Sequence, residues 1–320
     1  MNVWKLRASM AGTLAAIIGL STLFLAVVLT LAGAFDLITL FVIVVAFNVI
    51  QWLISPYLIN ALYRAKEVKP EENPQLHQMI EKLSIKSGIK KPKLMLAQVP
   101  IPNAMAYGSP LTGKHVAVTS GLLNALQPDE VEAVIGHELG HLKHRDVQIM
   151  MFVSLLPALF YYIGYSLTIS SMYGRRRDEG GNAALLGMVF MAFWWVLNLF
   201  TLYLSRLREY FADKHSASIV ENGSSKLSLG LAKIVNTTRN MRRTGRQPQN
   251  LNAFKALFIA DPDKAEIDAA ELSRASATSN EQRMVQEILS QKLTTAHKIG
   301  ELFSTHPNIV KRLRALQETS

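Results

Sequence analysis

The run His137-Glu138-Leu139-Gly140-His141 holds the residues of this chain best suited to chemistry. Residues four apart on a helix share one face, so both imidazoles can close on a single divalent ion. Glu138 then sits beside the ion's open coordination position. An ion held this way lowers the pKa of a water in that position, and the carboxylate takes the proton and passes it to a leaving amine. The spacing points to metal-assisted peptide hydrolysis.

A catalytic zinc site takes three protein ligands and keeps one position open. The chain has no cysteine, so any zinc here is held by histidine and carboxylate, a ligand set typical of open, catalytic sites. The stretch Ser205 to Asp213 offers Glu209 and Asp213, four apart and so on one helical face. One of the two can bind the ion while the other accepts a proton from a ligand imidazole and fixes its tautomer. Taken alone, the pair reads equally well as an ordinary charged helix face.

The elements that position these residues are readable to a first order. Pro128-Asp129-Glu130 marks a helix start, with proline suited to the first turn and acids at the positive end. Val131, Val134, Ile135 and Leu139 follow at helical spacing, which predicts a helix from about Pro128 to Lys143. Gly136 and Gly140 are poor helix formers, each unfavourable by up to about 1 kcal/mol relative to alanine. Close approach by an ion, a substrate or another backbone would account for both. Further helices are predicted over Asn73 to Gly88, Leu204 to Glu221 and Val310 to Gln317. Short strands are predicted over Leu94 to Val99 and Val116 to Thr119, on either side of a turn-rich segment from Pro100 to Gly108. Residues 261–280 read as loosely structured, and no internal repeat is apparent.

Charge distribution places the chain in a membrane. No Asp, Glu, Lys or Arg occurs in residues 8–35, 37–63, 147–173 or 180–205. Each stretch exceeds the roughly 20 residues that a helix needs to cross the hydrocarbon. The expected fold is therefore a predominantly α membrane protein, with four apolar helices and a cytoplasmic α+β zinc protease domain. A cleaved leader is the alternative for the first stretch, but its apolar core is too long and a second span follows almost at once. Residues 1–63 are expected to form an N-terminal hairpin and 64–146 the first half of the catalytic domain. Residues 147–205 would be a second apolar pair and 206–320 the second catalytic half. That pair would return the chain to one membrane surface, bringing the two ligand sets together. Lys5 and Arg7 precede the first span and Arg64, Lys66 and Lys69 follow the second, which puts both flanks in the cytoplasm. The loop carrying Arg175, Arg176 and Arg177 runs against that rule if the last two helices cross fully.

The net charge of +10 is modest beside a bilayer. Arg239, Arg242, Arg243 and Arg246 could meet anionic head groups but read most simply as a solvated loop. No aromatic interleaving or nucleic-acid motif accompanies them, so nucleic-acid binding is excluded. Charge-free apolar segments also argue against a transporter. A non-catalytic membrane scaffold with a structural metal site is the remaining alternative. It would need no base at Glu138 and would usually add a fourth protein ligand.

His137-Glu138-x-x-His141 followed by Glu209-x-x-x-Asp213 resembles the gluzincin arrangement. The layout of nearly the whole chain is similar to the HtpX group of integral-membrane zinc proteases, relatives of the CAAX prenyl proteases. The likeness rests on the N-terminal hairpin, Asn103-Ala104 to Gly108, Gly136 to His141, Arg206-x-x-Glu209-Tyr210-x-Ala212-Asp213 and Ser304-Thr305-His306-Pro307. It implies His137, His141 and Glu209 as ligands of one zinc per chain, Glu138 as general base and Asp213 as the residue orienting a ligand imidazole. It also implies cleavage of damaged or misassembled membrane proteins at the cytoplasmic face of a bacterial inner membrane. Beyond that, Asn103 to Gly108, beginning with Asn103 and Ala104, reads as an edge strand for an extended substrate or as an ordinary loop. His306 reads as a hydrogen-bond donor to the oxyanion or as a surface histidine. His144 shares roughly the face of His137 but lies one turn too far for the open site. His77, His115, His215 and His297 show no partner pattern and read as structural. Arg206 is expected to pair with a nearby carboxylate.

Overall fold

The computed structural model describes residues 37–173, 180–244, 281–291 and 293–318. The first helix among the described residues, α1 (Leu37–Leu62), is charge-free along its length, with Pro56 inside it. Helix α2 (Pro74–Ser87) forms where capping signals and helical spacing agree. Asn73 accepts the Leu76 amide at 3.1 Å, Pro74 opens the first turn, and Gly88 closes the helix at φ 63°. Leu76, Ile80 and Leu83 are buried along one face.

Strands β1 (Ala65–Glu67), β2 (Lys93–Ala97), β3 (Ala104–Ser109) and β4 (Gly113–Thr119) form one sheet in the order β1-β2-β4-β3. β2 and β4 are parallel, and the other two pairs are antiparallel. Strand β3 occupies much of the segment read as turn-rich. Its residues include none that is β-branched, and pairing with β4 rather than local preference makes it a strand. The hairpin closes tightly: a Cβ on Gly108 would lie 2.3 Å from the Gly113 carbonyl oxygen, and Gly113 itself sits at φ 79°.

After α3 (Ser120–Ala125), helix α4 (Pro128–Lys143) spans the expected residues. The Glu130 carboxylate accepts the Gln127 amide at 2.8 Å and so fixes the helix start. Helices α5 (Asp146–Tyr173) and α6 (Gly180–Ile219) follow, then α7 (Gly223–Arg243), α8 (Glu281–Ser290), α9 (Thr295–Leu302) and α10 (Ile309–Gln317). Helix α6 runs unbroken for 40 residues, so the helix expected to begin at Leu204 is its second half. No Gly or Pro lies between Met188 and Asn222 to stop it. Arg239 and Arg243 lie on α7 rather than in a loop. Arg246, residues 261–280 and the first apolar stretch fall outside the described residues.

Described residues within 53–147 and 206–318 form one compact unit. Its core combines Ile80, Leu83, Leu94, Val116, Val118, Val134, Ile135, Leu139, Leu227, Leu231 and Leu313, all at most 1% exposed. A second unit takes residues 37–52 and most of 148–205, packed around Phe160, Ile163, Phe190 and Leu197. Its helices turn large apolar side chains outward, among them Phe152, Tyr165, Leu185, Met188 and Trp195. Among the described residues, two helical segments are long and apolar enough to cross a membrane, Asp146–Ile169 and Ala183–Ile219. Of the four apolar stretches expected, these are the third and fourth; the second forms the charge-free helix α1, and the first lies outside the described residues.

Candidate metal centre

The site is set by a close contact between α4 and α6. A Cβ on Gly140 would lie 3.0 Å from the Ala212 Cα, and one on Gly136 would lie 3.0 Å from the Ser216 hydroxyl. Ser216 in turn donates to the Ala133 carbonyl at 2.6 Å. Close approach of α6, by its backbone at Gly140 and its side chains at Gly136, therefore accounts for the two glycines in the motif. This approach faces His137 and His141 on α4 toward Glu209 and Asp213 on α6.

One ligand atom from each of His137, His141 and Glu209 lies within 4.8 Å of the others. The two Nε2 atoms are 3.2 Å apart, with Glu209 carboxylate oxygens 3.7 Å from His137 and 3.4 Å from His141. A carboxylate holds the far nitrogen of each ring. Asp213 stands 2.9 Å from His137 Nδ1, and Asp146 stands 2.6 Å from His141 Nδ1. Each ring thus places Nδ1 beside a carboxylate and Nε2 at the shared point, the placement in which Nδ1–H donates outward and Nε2 binds an ion. Each carboxylate is backed by a buried guanidinium. Arg312 binds Asp213 through two nitrogens at 2.9 and 2.6 Å and reaches Glu209 at 3.2 Å, while Arg208 pairs with Asp146.

Glu138 is 4% exposed and accepts a hydrogen bond from the Ala106 amide of β3. Burial pushes its carboxyl pKa up; the His141 and His137 charges pull it back, and Glu209 raises it again. For His141, burial opposes the charged ring, but hydrogen bonding and charge from Glu209, with the charge of Glu138, outweigh it and raise the pKa. Arg312 is held cationic: burial opposes its charge, and the Asp213 and Glu209 carboxylates override that penalty.

The donor set fits a divalent ion. Two imidazoles and a carboxylate are suitable zinc ligands, although the same atoms would also take cobalt or manganese. Charge agrees. The carboxylates of Glu138, Glu209, Asp213 and Asp146 outnumber the guanidinium groups of Arg208 and Arg312 by two, an excess that one divalent cation neutralises.

His306 approaches from the segment between α9 and α10. Its Nε2 is 3.7 Å from Glu209, and its Nδ1 is 2.9 Å from the Thr305 hydroxyl. Arg206 holds that segment in place by donating to the Glu301 and Ser304 carbonyls at 2.8 and 2.7 Å. β3 is an edge strand. The Asn103 main chain is committed to Thr119, whose hydroxyl accepts its amide at 2.9 Å and whose amide donates to its carbonyl at 3.0 Å. Alternation along the ladder then turns the amides and carbonyls of Ala104 and Ala106 away from β4. The main-chain groups that face away from β4 therefore begin at Ala104, while those of Asn103 pair with Thr119.

The matched sequence extends beyond these motifs. The model of the family described as Peptidase family M48 covers residues 70–320. This chain belongs to peptidase family M48. Its relatives include a protein named Protease HtpX homolog from Thermoplasma acidophilum, 35% identical over 88% of this chain and 85% of that one. Protease HtpX homolog 2 from Saccharolobus solfataricus is also 35% identical, over 100% of this chain and 98% of its own. A Protease HtpX homolog from Pyrobaculum calidifontis is 38% identical over 90% of this chain and 79% of that one. Among solved structures, S. mikatae Ste24p is similar in fold, with a TM-score of 0.56 at 16% identity. The match takes in 98% of this chain and 66% of Ste24p, so this chain spans just under two thirds of that protein's length.

Within this M48 chain the other histidines lie apart from the ligand set. His144 Nδ1 donates to the Gly140 carbonyl at its own helix end at 2.9 Å. His77 meets the Val68 carbonyl at 2.8 Å, His115 stacks on Tyr107, and His215 meets the Ser87 hydroxyl at 2.9 Å. The His297 side chain lies outside the described residues. Asp146, Arg208 and Arg312 are the site residues that spacing did not mark. An acid opening a helix reads as a partner for its dipole, and arginines read as solvated until burial is known.

Proposed function

We propose that this chain is a membrane-bound zinc endopeptidase carrying one zinc per chain. The observation that carries the reading is the convergence of His137, His141 and Glu209 within 4.8 Å, with buried Glu138 alongside. Zinc held there would supply Lewis-acid activation of a water and polarisation of the scissile carbonyl. Glu138 takes the proton of that water and returns it to the leaving amine nitrogen. Asp213 and Asp146 keep the ligand rings in one tautomer. His306 donates a hydrogen bond to the oxyanion that develops on the carbonyl oxygen. The outward amide of Ala104 and the carbonyls of Ala104 and Ala106 pair with an extended polypeptide and present it along β3 to Glu138, which holds the Ala106 amide.

Misfolded or damaged membrane proteins are the substrates we infer, as part of quality control under stress. Supporting this are the apolar helices, the HtpX-named relatives and a site built on the helix that continues α6 out of its charge-free half. The protease unit faces the cytoplasm in this reading, from the basic residues Arg64, Lys66 and Lys69 that follow α1. The relatives named above are archaeal, so the proposal is for a cellular membrane in general rather than a bacterial inner membrane. Glu138 weighs against a non-catalytic scaffold, because a structural site has no use for a buried base beside three ligands.

Glu209→Ala tests the ligand assignment. Metal analysis of detergent-purified protein is expected to find about one zinc in the wild type and a marked loss in the variant. Full occupancy in the variant would place the third ligand elsewhere.

A further inference from the structure

We propose that Asp146 is a positioning residue for the metal ligand His141, and that Arg208 holds Asp146 in that role. The inference rests on the metal reading above and adds to it a carboxylate and a guanidinium that ligand spacing does not reveal. Asp146 Oδ2 lies 2.6 Å from His141 Nδ1, close enough to take the ring N–H and leave Nε2 to bind the ion. The same ring's Nε2 is 3.2 Å from His137 Nε2 and 3.4 Å from Glu209, so its other face already points into the ligand cluster.

The local chain is arranged for this contact. Between α4 and α5 the backbone turns at Arg145, a non-glycine residue at φ 57°. Left-handed backbone at such a residue is unfavourable by about 1 kcal/mol or more, and it persists where surrounding contacts over-determine it. The turn brings Asp146 back to the end of α4, against a histidine five positions earlier. Asp146 is 7% exposed, so its charge needs a partner, and Arg208, 2% exposed, supplies one. Arg208 immediately precedes the ligand Glu209 on α6. The arrangement repeats on the other ring, where Asp213 meets His137 and Arg312 backs Asp213. Each ligand imidazole therefore ends a His–Asp–Arg relay, and the two relays draw on four helices, α4, α5, α6 and α10. The alternative is that Asp146 serves only the first turn of α5.

Zinc affinity separates the two roles. Full-length protein in detergent is titrated against a chromophoric chelator, using wild type, Asp146→Ala, Asp146→Asn and Glu209→Ala. A positioning role predicts zinc affinity about 10- to 100-fold weaker in Asp146→Ala. Asp146→Asn keeps an acceptor for the ring N–H and is expected to recover part of that loss, remaining about three- to tenfold weaker than wild type. Melting of chelator-treated Asp146→Asn is expected to match that of chelator-treated wild type. Zinc affinity within twofold of wild type in folded Asp146→Ala would overturn the proposal. Should the alanine variant fail to fold, wild-type affinity in Asp146→Asn would overturn it equally. Wild type and Glu209→Ala holding zinc alike would instead overturn the metal reading beneath it.

Discussion

Glu138→Gln is expected to lower peptide cleavage by about 10²- to 10⁴-fold while zinc content stays near one per chain. Glutamine has nearly the same shape and keeps an oxygen to accept the Ala106 amide, so packing of the site is preserved. It has no basic oxygen and cannot take a proton. The direction of the Glu138 pKa fits the role, since burial raises a carboxylate toward the range where a general base works best. The base form is present above that raised value and is lost as pH falls through it, so activity should decline on the acidic side. Steady-state cleavage of an unfolded protein, measured beside metal content, gives the answer. Normal turnover by the variant would remove the general-base assignment, and loss of zinc would make Glu138 a ligand.

Arg312→Leu is expected to destabilise the protease unit by roughly 3–5 kcal/mol, the usual consequence of stripping one partner from a buried ion pair. Arg312 is 1% exposed and stands between Asp213 and Glu209, themselves 2% and 6% exposed. Without it Asp213 loses its paired guanidinium in a buried site, and Glu209 loses one of its neighbouring positive charges. The fork to Asp213 is bidentate, so Arg312→Lys should recover only part of the loss. A thermal melt in detergent should fall by several degrees at least, by the scaling for a unit of this size. A melt within a degree of wild type would mean that the relay behind His137 contributes little to folding.

The cluster proposed to hold the metal was legible because metal chemistry demands a spacing that helix geometry can satisfy. His137 with His141 and Glu209 with Asp213 are i, i+4 pairs, and apolar runs between them imply a chain that returns. Helix α4 was equally legible, since Pro128, the early acids and the spacing of Val131, Val134, Ile135 and Leu139 agree. Strand β3 was only half legible. Ala104 to Ser109 carries weak local preference, and its strand character comes from pairing with β4 over a glycine-tight turn. The first half of α6 was apparent and its second half was not joined to it, because change of composition at Ser205 resembles a boundary while the backbone has no reason to break there. Asp146, Arg208 and Arg312 stayed hidden because their importance lies in burial and in partners 5, 62 and 99 residues away, which no local pattern encodes.

The most direct test of the account measures zinc per chain and cleavage of unfolded casein together in the purified wild-type protein. Both are followed through removal of the metal by a chelator and its restoration. About one zinc per chain, with cleavage lost on removal and regained on adding zinc back, is the predicted result. Cleavage that persists in fully metal-stripped protein would contradict the account at its centre.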